Sequence, residues 1–195
     1  TGLQARAKGS FDPDKFIVHL GKGYFGWSVP ESSRISRIGV VSSNENPKSY
    51  FDDVMEKEEG EIVEYQSGLI PKYQKGIKCQ KGNVFLIGDA GTQCKSSTHG
   101  GIVQGLMAGS ALRDAILNGG DYDKLWRKKL GRDLYVHLKI REKIDNMSEE
   151  DLNLMVKLVK KEKVKNILES YERDFAFKIV FKTLIREPRF LRLVV

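Results

Sequence analysis

Apolar and polar positions alternate in the first part of the chain. Phe16-Ile-Val-His-Leu20, Tyr24-Phe-Gly-Trp-Ser-Val29 and Arg34-Ile-Ser-Arg-Ile-Gly-Val-Val41 are short runs rich in aromatic and β-branched residues, bounded by Gly and Pro, and they predict an antiparallel sheet. Asn44-Glu-Asn-Pro47 punctuates it. Over 48–59 the period changes: Tyr50, Phe51, Val54 and Met55 share one side of an amphipathic helix. Strand-like alternation returns over 61–73, and Asn83-Val-Phe-Leu-Ile87 is a compact apolar run of the kind found in a strand buried on both faces. A helix rich in Ala, Leu, Ile and Met should follow over about 100–117, stopped by Asn118-Gly119-Gly120.

Beyond Asp121 the pattern is helical nearly to the end. Leu125, Leu130, Leu134 and Leu138 form one stripe, and Ser148-Glu-Glu-Asp151 reads as a capping box. The helix it opens has Leu152, Met155, Val156, Val159 and later Ile167 as its expected core face, and a last helix over 172–185 should end before Pro188. These elements predict an α+β chain in three regions: an antiparallel sheet over 1–78, a strand, loop and helix over 79–120, and helices over 121–195.

Composition narrows the class. The chain has 195 residues, of which 40% are hydrophobic and 30% charged, enough for a substantial core. No apolar run approaches the roughly 20 residues of a spanning helix. With no export signal at the amino end, the expected compartment is the cytoplasm, with peripheral contact to a membrane left open. Cys79 and Cys94 offer no recognisable metal-ligand spacing, and whether they pair is left open. The net charge of +7 lies mostly after Lys124, mixed with carboxylates, and suits a solvated basic face as well as any polyanion. The chain begins at Thr1, which points to processing or to a piece of something longer.

The segment richest in chemistry is Asn83-Val-Phe-Leu-Ile-Gly-Asp-Ala-Gly-Thr92, followed by Ser97-Thr-His-Gly-Gly-Ile-Val-Gln-Gly-Leu-Met-Ala-Gly109. Glycines after a strand let backbone approach a ligand, and the N–H groups of the following helix start can face a phosphate or an electron-rich ring. Asp89 can accept hydrogen bonds from a sugar or ribityl hydroxyl. A tight turn with an aspartate cap would use the same residues.

The whole stretch resembles the second flavin fingerprint of FAD-dependent hydroxylases and geranylgeranyl reductases, a Gly-Asp-Ala-x-Gly type motif before a glycine-rich loop and a long helix. The resemblance implies FAD as cofactor. It makes Gly88, Asp89, Ala90 and Gly91 cofactor-binding residues, with Asp89 on the ribityl chain and His99, Gly100, Gly101 and Ile102 passing beside the ring. Ser96 stands where proline is common, and His99 replaces a glycine.

Upstream, Phe25-Gly-Trp-Ser-Val-Pro30 and Gly39 resemble the aromatic-x-Trp-x-Phe-Pro and Gly-x-Gly pattern of geranylgeranyl reductases, with Val29 and Val41 as departures. Tyr24, Phe25, Trp27 and Pro30 are the implied substrate-binding residues, and their aromatic faces suit an isoprenoid chain.

The family's opening Gly-x-Gly-x-x-Gly unit is not found here, so the resemblance implies the carboxyl-terminal portion of an enzyme whose amino-terminal dinucleotide-binding half is missing. The implied activity is reduction of isoprenoid double bonds of a lipid by reduced flavin, itself fed by an electron donor. No residue is assigned as catalytic, and no metal is implied. A flavin hydroxylase or a dehydrogenase with a quinone-type acceptor would use the same fold, and a basic module for membrane or nucleic acid is the alternative of another class. Nucleic acid ranks last among the partners.

Overall fold

A computed structural model describes residues 1–43, 46–172 and 174–194, the last without its side chain. Asn44 and Glu45 of the expected turn, and the terminal Val195, lie outside the described residues. The chain is α+β, with a five-stranded antiparallel sheet and a set of helices. By internal contacts it divides into two units, one of Thr1–Ile70 with Ile144–Glu149, the other of Pro71–Lys143 with Glu150–Val195.

In the first unit β1 (Gly2–Lys8), β2 (Ile17–Gly21), β3 (Tyr24–Pro30), β4 (Ile35–Ser42) and β5 (Glu61–Gly68) lie in the order β2-β3-β4-β1-β5. The first strand is thus interior, although the sequence shows no strong strand signal there. Its inward residues are Leu3, Ala5 and Ala7. Alanine carries little apolar weight, yet it lets α1 (Lys48–Glu58) pack close against the sheet. Phe51, Val54 and Met55 of α1 are buried there with Ala5, Ala7, Ile38 and Val40. His19 and Glu58, 2.8 Å apart, tie β2 to the end of α1.

The second unit holds a two-strand ribbon, β6 (Gln80–Lys81) with β7 (Val84–Phe85), then α2 (Ile102–Asn118), α3 (Tyr122–Trp126), a π-helical turn over Arg127–Gly131, and α4 (Arg132–Asp145). After these come α5 (Glu149–Val159), α6 (Glu162–Ser170), α7 (Ala176–Arg186) and α8 (Leu191–Val194). Ala108, Ala111 and Ala115 give α2 a face of small residues against Tyr122 and Trp126, and Tyr73 meets the Trp126 ring edge-on, centroids 6.5 Å apart at 87°. Gly119 closes α2 at φ 64°, as its position predicts.

Two expectations need correction. Asn83–Ile87 is not a strand buried on both faces: only Val84 and Phe85 pair as a strand, with Lys81 and Gln80, and Val84, Leu86 and Ile87 are exposed. An apolar run says what a strand tolerates on its two faces, whereas neighbours decide whether they are covered. On α5 the buried residue is Leu158, while Val156 and Val159 are exposed. There the helix ends at Val159 and α6 restarts the periodicity, burying Val164 and Ile167. Cys79 and Cys94, whose pairing the sequence leaves open, are both free and buried. The Cys94 thiol donates to the Pro71 carbonyl at 2.8 Å, and the Cys79 thiol points to the Gly91 carbonyl at 3.6 Å.

Candidate functional site

The glycine-rich segment of the second unit has a buried floor and an exposed rim. After Phe85 the chain turns through Gly88, whose φ of 63° suits a residue without Cβ, into a single 3-10 turn over Gly88–Gly91. The turn is held from below. Gly88 N–H donates to Oε1 of the wholly buried Gln93 at 2.8 Å, and Gln93 N–H returns a bond to the Gly88 carbonyl at 2.9 Å. The Gln93 amide reaches the Tyr122 hydroxyl at 3.0 Å, and that hydroxyl donates to the Leu86 carbonyl at 3.0 Å.

Three side chains of the floor fasten it to the segment around Tyr73. Ser96 Oγ accepts from Tyr73 N–H and Thr92 Oγ1 from Gln74 N–H, each at 3.1 Å, beside the Cys94 to Pro71 contact. Ser96, where proline is common in the family resembled, is thus a hydrogen-bond acceptor in this chain. Burial, aided by the nearby Asp89 charge, pushes the Cys94 thiol up to about 12, so it stays protonated and structural.

On the rim, Asp89 and Ala90 are exposed and Gly88, Gly100 and Gly101 half-buried. The Asp89 carboxylate lies against Gly101, since a Cβ built on Gly101 would stand 2.9 Å from Asp89 Oδ1 and 3.2 Å from Cys94 Cβ. Gly101 is also the N-cap of α2, and no side chain caps it. First-turn N–H groups of a long helix and a carboxylate therefore meet at one glycine, with exposed Ile102 next to them. Gly88 and Gly105 likewise approach backbone to backbone, a Cβ on Gly105 standing 3.7 Å from the Gly88 Cα.

The loop between Cys94 and α2 is closed by Lys95 N–H to the Gly100 carbonyl, 2.9 Å, and His99 N–H to the Lys95 carbonyl, 2.7 Å. His99 takes a left-handed φ of 57° where the family resembled has glycine. Beneath this loop lies a polar cluster the sequence reading did not find. Lys95 Nζ is 2.6 Å from Asp174 Oδ1, which also accepts from Gln104 Nε2 at 3.0 Å. Ser97 Oγ and His137 Nδ1 are 2.6 Å apart.

Burial raises the Asp174 carboxyl, but the hydrogen bonds from Lys95 and Gln104 and the Lys95 charge outweigh it and hold Asp174 below its ordinary range. Burial, seconded by the Lys95 charge, lowers His137 to about 4, so its imidazole is neutral at pH 7. Gln104, a polar residue in an apolar stretch of the sequence, is the one signal of this cluster there; the structure buries it while its neighbours Ile102, Val103 and Leu106 are exposed.

In the first unit the four expected substrate residues divide between two faces of the sheet. Tyr24 stacks on Tyr50 of α1, centroids 4.8 Å apart, and Pro30 follows the same alternation. Phe25 and Trp27 lie on the opposite, open face, ring centroids 6.2 Å apart. Trp27 Nε1 donates to Gln4 Oε1 at 2.9 Å, and Gln4 Nε2 to Gln66 Oε1 at 2.7 Å. Its indole covers Gly39, where a Cβ would fall 2.5 Å from the ring. The glycine after the aromatic motif is therefore required by Trp27 itself. A groove of about 180 Å³ opens between Trp27, Gln4, Gln66 and Ile70.

The residues fit a flavin dinucleotide on the evidence of the rim. Asp89 could accept from its ribityl hydroxyls, the uncapped α2 start could meet its electron-rich edge, and Gly88, Gly100 and Gly101 leave backbone within reach. A side chain on Gly101 would fill that cradle.

No protein-family model matches the chain. Digeranylgeranylglycerophospholipid reductase of Methanothrix thermoacetophila is 28% identical over 165 residues, 74% of this chain and 42% of that protein. The protein of that name from Methanosarcina acetivorans is 26% identical over 186 residues, 83% of this chain and 46% of the relative. Among solved structures, a geranylgeranyl bacteriochlorophyll reductase-like protein from Thermoplasma acidophilum superposes with a TM-score of 0.78 at 19% identity, covering 98% of this chain and 54% of that one. The chain spans about half the length of the curated relatives it matches. In sequence and in fold it is similar to geranylgeranyl reductase-type proteins over that portion, as its two motifs imply.

Proposed function

We propose that this chain is the carboxyl-terminal portion of an FAD-dependent oxidoreductase that reduces isoprenoid double bonds of a lipid. The observation that carries the reading is the meeting of Asp89, Gly101 and the uncapped start of α2 on one exposed rim. The names of the relatives supply the lipid: a geranylgeranyl chain is a run of isolated trisubstituted alkenes, and saturating one requires a hydride and a proton. The flavin, once bound and reduced by an electron donor, would supply the hydride.

The chain's own residues bind and orient. Asp89 accepts hydrogen bonds from hydroxyl groups of the cofactor, and Gly88, Ala90 and Gly91 keep the turn narrow enough for backbone contact. Gly100 and Gly101 present N–H and Cα edges, Ile102 gives an apolar contact, and His99 holds the loop in its left-handed turn. Lys95, Asp174 and Gln104 fix this loop from behind, so that its amides need not reorganise when a ligand arrives. In the first unit Phe25 and Trp27 offer aromatic surface to a prenyl chain, while Tyr24 and Pro30 support the sheet from its other face. No side chain is assigned as the acid, and solvent can deliver the proton. The remaining partners are the amino-terminal half and a reductant for the flavin.

The test is anaerobic incubation of the full-length protein with a geranylgeranyl lipid and dithionite. A gain of one hydrogen pair per reduced double bond, with no oxygen requirement, is the expected result. Unaltered lipid, or conversion that stops without oxygen and adds an oxygen atom, would place the protein among the hydroxylases or outside this chemistry.

A further inference from the structure

The helix α7 buries one side and leaves a strongly patterned side outward. Ala176 and Thr183 are buried and Ile179, Val180 and Leu184 half-buried, yet Phe177, Phe181 and Ile185 are 38%, 58% and 62% exposed. These three sit four residues apart and form one ridge along the helix. The rings of Phe177 and Phe181 stack, 6.4 Å apart and 9° from parallel. Each of its residues is followed by a cation: Lys178, Lys182 and Arg186 make a second ridge beside the first. Arg132 adds a guanidinium over the Phe177 ring at 4.1 Å, and Leu191 and Arg192 continue the pattern past the helix end.

Helix α7 itself carries no carboxylate, and exposed Glu172 lies before its start. Lys178 and Arg186 meet no carboxylate among the described residues, and Lys182 bonds the Tyr171 hydroxyl. Glu187, the nearest carboxylate along the chain, is turned inward at 2% exposure and is neutralised by Lys161, Lys163 and Arg189. The helix is also firmly mounted. Phe177 N–H donates to Asp133 Oδ1 at 2.9 Å, and Asp174, two residues before α7, is the partner of Lys95 and Gln104 under the glycine-rich loop.

We propose that α7 is a docking helix for an anionic lipid surface, with Phe177, Phe181 and Ile185 seated at the headgroup and acyl boundary and Lys178, Lys182 and Arg186 on the headgroups. No described helix is long and apolar enough to cross a membrane, and α7 has 11 residues, so it lies in the interface plane. A protein groove would accept the aromatic ridge alone. A continuous border of long-stemmed cations along the same ridge matches a surface that is apolar below and uniformly negative above, where Lys and Arg stems lie along the apolar layer and their heads stay wet. Docking does not depend on the flavin reading. Together with it, the mounting through Asp174 ties the surface-bound helix to the loop that would serve a lipid-embedded substrate.

The test uses the full-length protein, sedimented with phosphatidylglycerol vesicles and with pure phosphatidylcholine vesicles. Binding to the first and not the second is expected, falling on the order of 100-fold in the K178Q/K182Q/R186Q variant. Phe181→Trp supplies a reporter: its emission, taken as the difference from the parent protein, should be that of exposed indole in the free protein and shift to the blue on the anionic vesicles. The substituted side chains are exposed, and unchanged thermal melting verifies the fold. Indifference to lipid charge, binding that survives the triple substitution, or a reporter already buried in the free protein by the rest of the chain or a second copy would overturn the proposal. The flavin absorbance of the same samples reports the cofactor reading separately.

Discussion

Asp89 and Gly101 are packed so that the carboxylate occupies the space a side chain on the glycine would need, with Oδ1 2.9 Å from that position. Gly101→Ala must therefore move either the carboxylate or the start of α2. Gly109, on the same helix, has nothing within 4 Å of its Cβ position. The full-length Gly101→Ala protein should lose flavin on gel filtration. Gly109→Ala should retain it and gain about 0.5–1 kcal/mol of stability from helix propensity. Equal flavin content in the two variants would separate Gly101 from the cofactor.

Trp27 and Gly39 are coupled in the same way on the open face of the sheet. A methyl group on Gly39 would overlap the indole at 2.5 Å, so Gly39→Ala should expel the ring and break its bond to Gln4. The expected cost is about 1–3 kcal/mol by overpacking and lost hydrogen bonding. The other tryptophan, Trp126, is fully buried, so a red shift in tryptophan emission would report Trp27.

His137 makes stability depend on pH with a defined sign. Its folded value, about 4, lies below the ordinary 6.5, so above pH 6.5 the imidazole is neutral in both states and its contribution is complete. As pH falls from 6.5 towards 4 the unfolded chain takes up a proton that the folded one refuses. About 3 kcal/mol should be lost across that window. Urea melts at pH 7 and pH 5 should show the decline, and His137→Gln should flatten it.

Lys95 and Asp174 should behave as a partly buried pair, side chains 16% and 24% exposed. Lys95→Met or Asp174→Asn alone leaves one charge without its partner and should cost about 1–3 kcal/mol, reduced from a fully buried pair by solvent access. The double variant should cost less than the sum of the two. A double-mutant cycle in denaturant measures the difference, and strict additivity would mean that the pair does not hold the loop.

What the sequence could reveal here depended on distance along the chain. The strands β2 to β4, α1, α2 and the stop at Gly119 follow from local period and turn chemistry, and the two motifs that resemble geranylgeranyl reductases are local as well. Interior β1 escaped notice because its inward side chains include two alanines. Asn83–Ile87 misled in the opposite direction, because its apolar side chains do not reveal that only Gln80 and Lys81 pair with it. The cluster behind the loop joins Lys95 to Asp174 and Ser97 to His137 across 79 and 40 residues, and no spacing rule links positions so far apart. The resemblance groups Tyr24 with Phe25 and Trp27, although strand alternation puts them on opposite faces. Only the contact of Tyr24 with Tyr50 shows which face is which.

The most direct measurement is the absorption spectrum of the full-length protein purified without added flavin, beside its Asp89→Ala variant. Bands near about 370 and 450 nm that bleach with reductant, and that weaken in the variant, are the predicted result for a flavoprotein whose ribityl chain rests on Asp89. A colourless full-length protein that stays colourless with added FAD would contradict it.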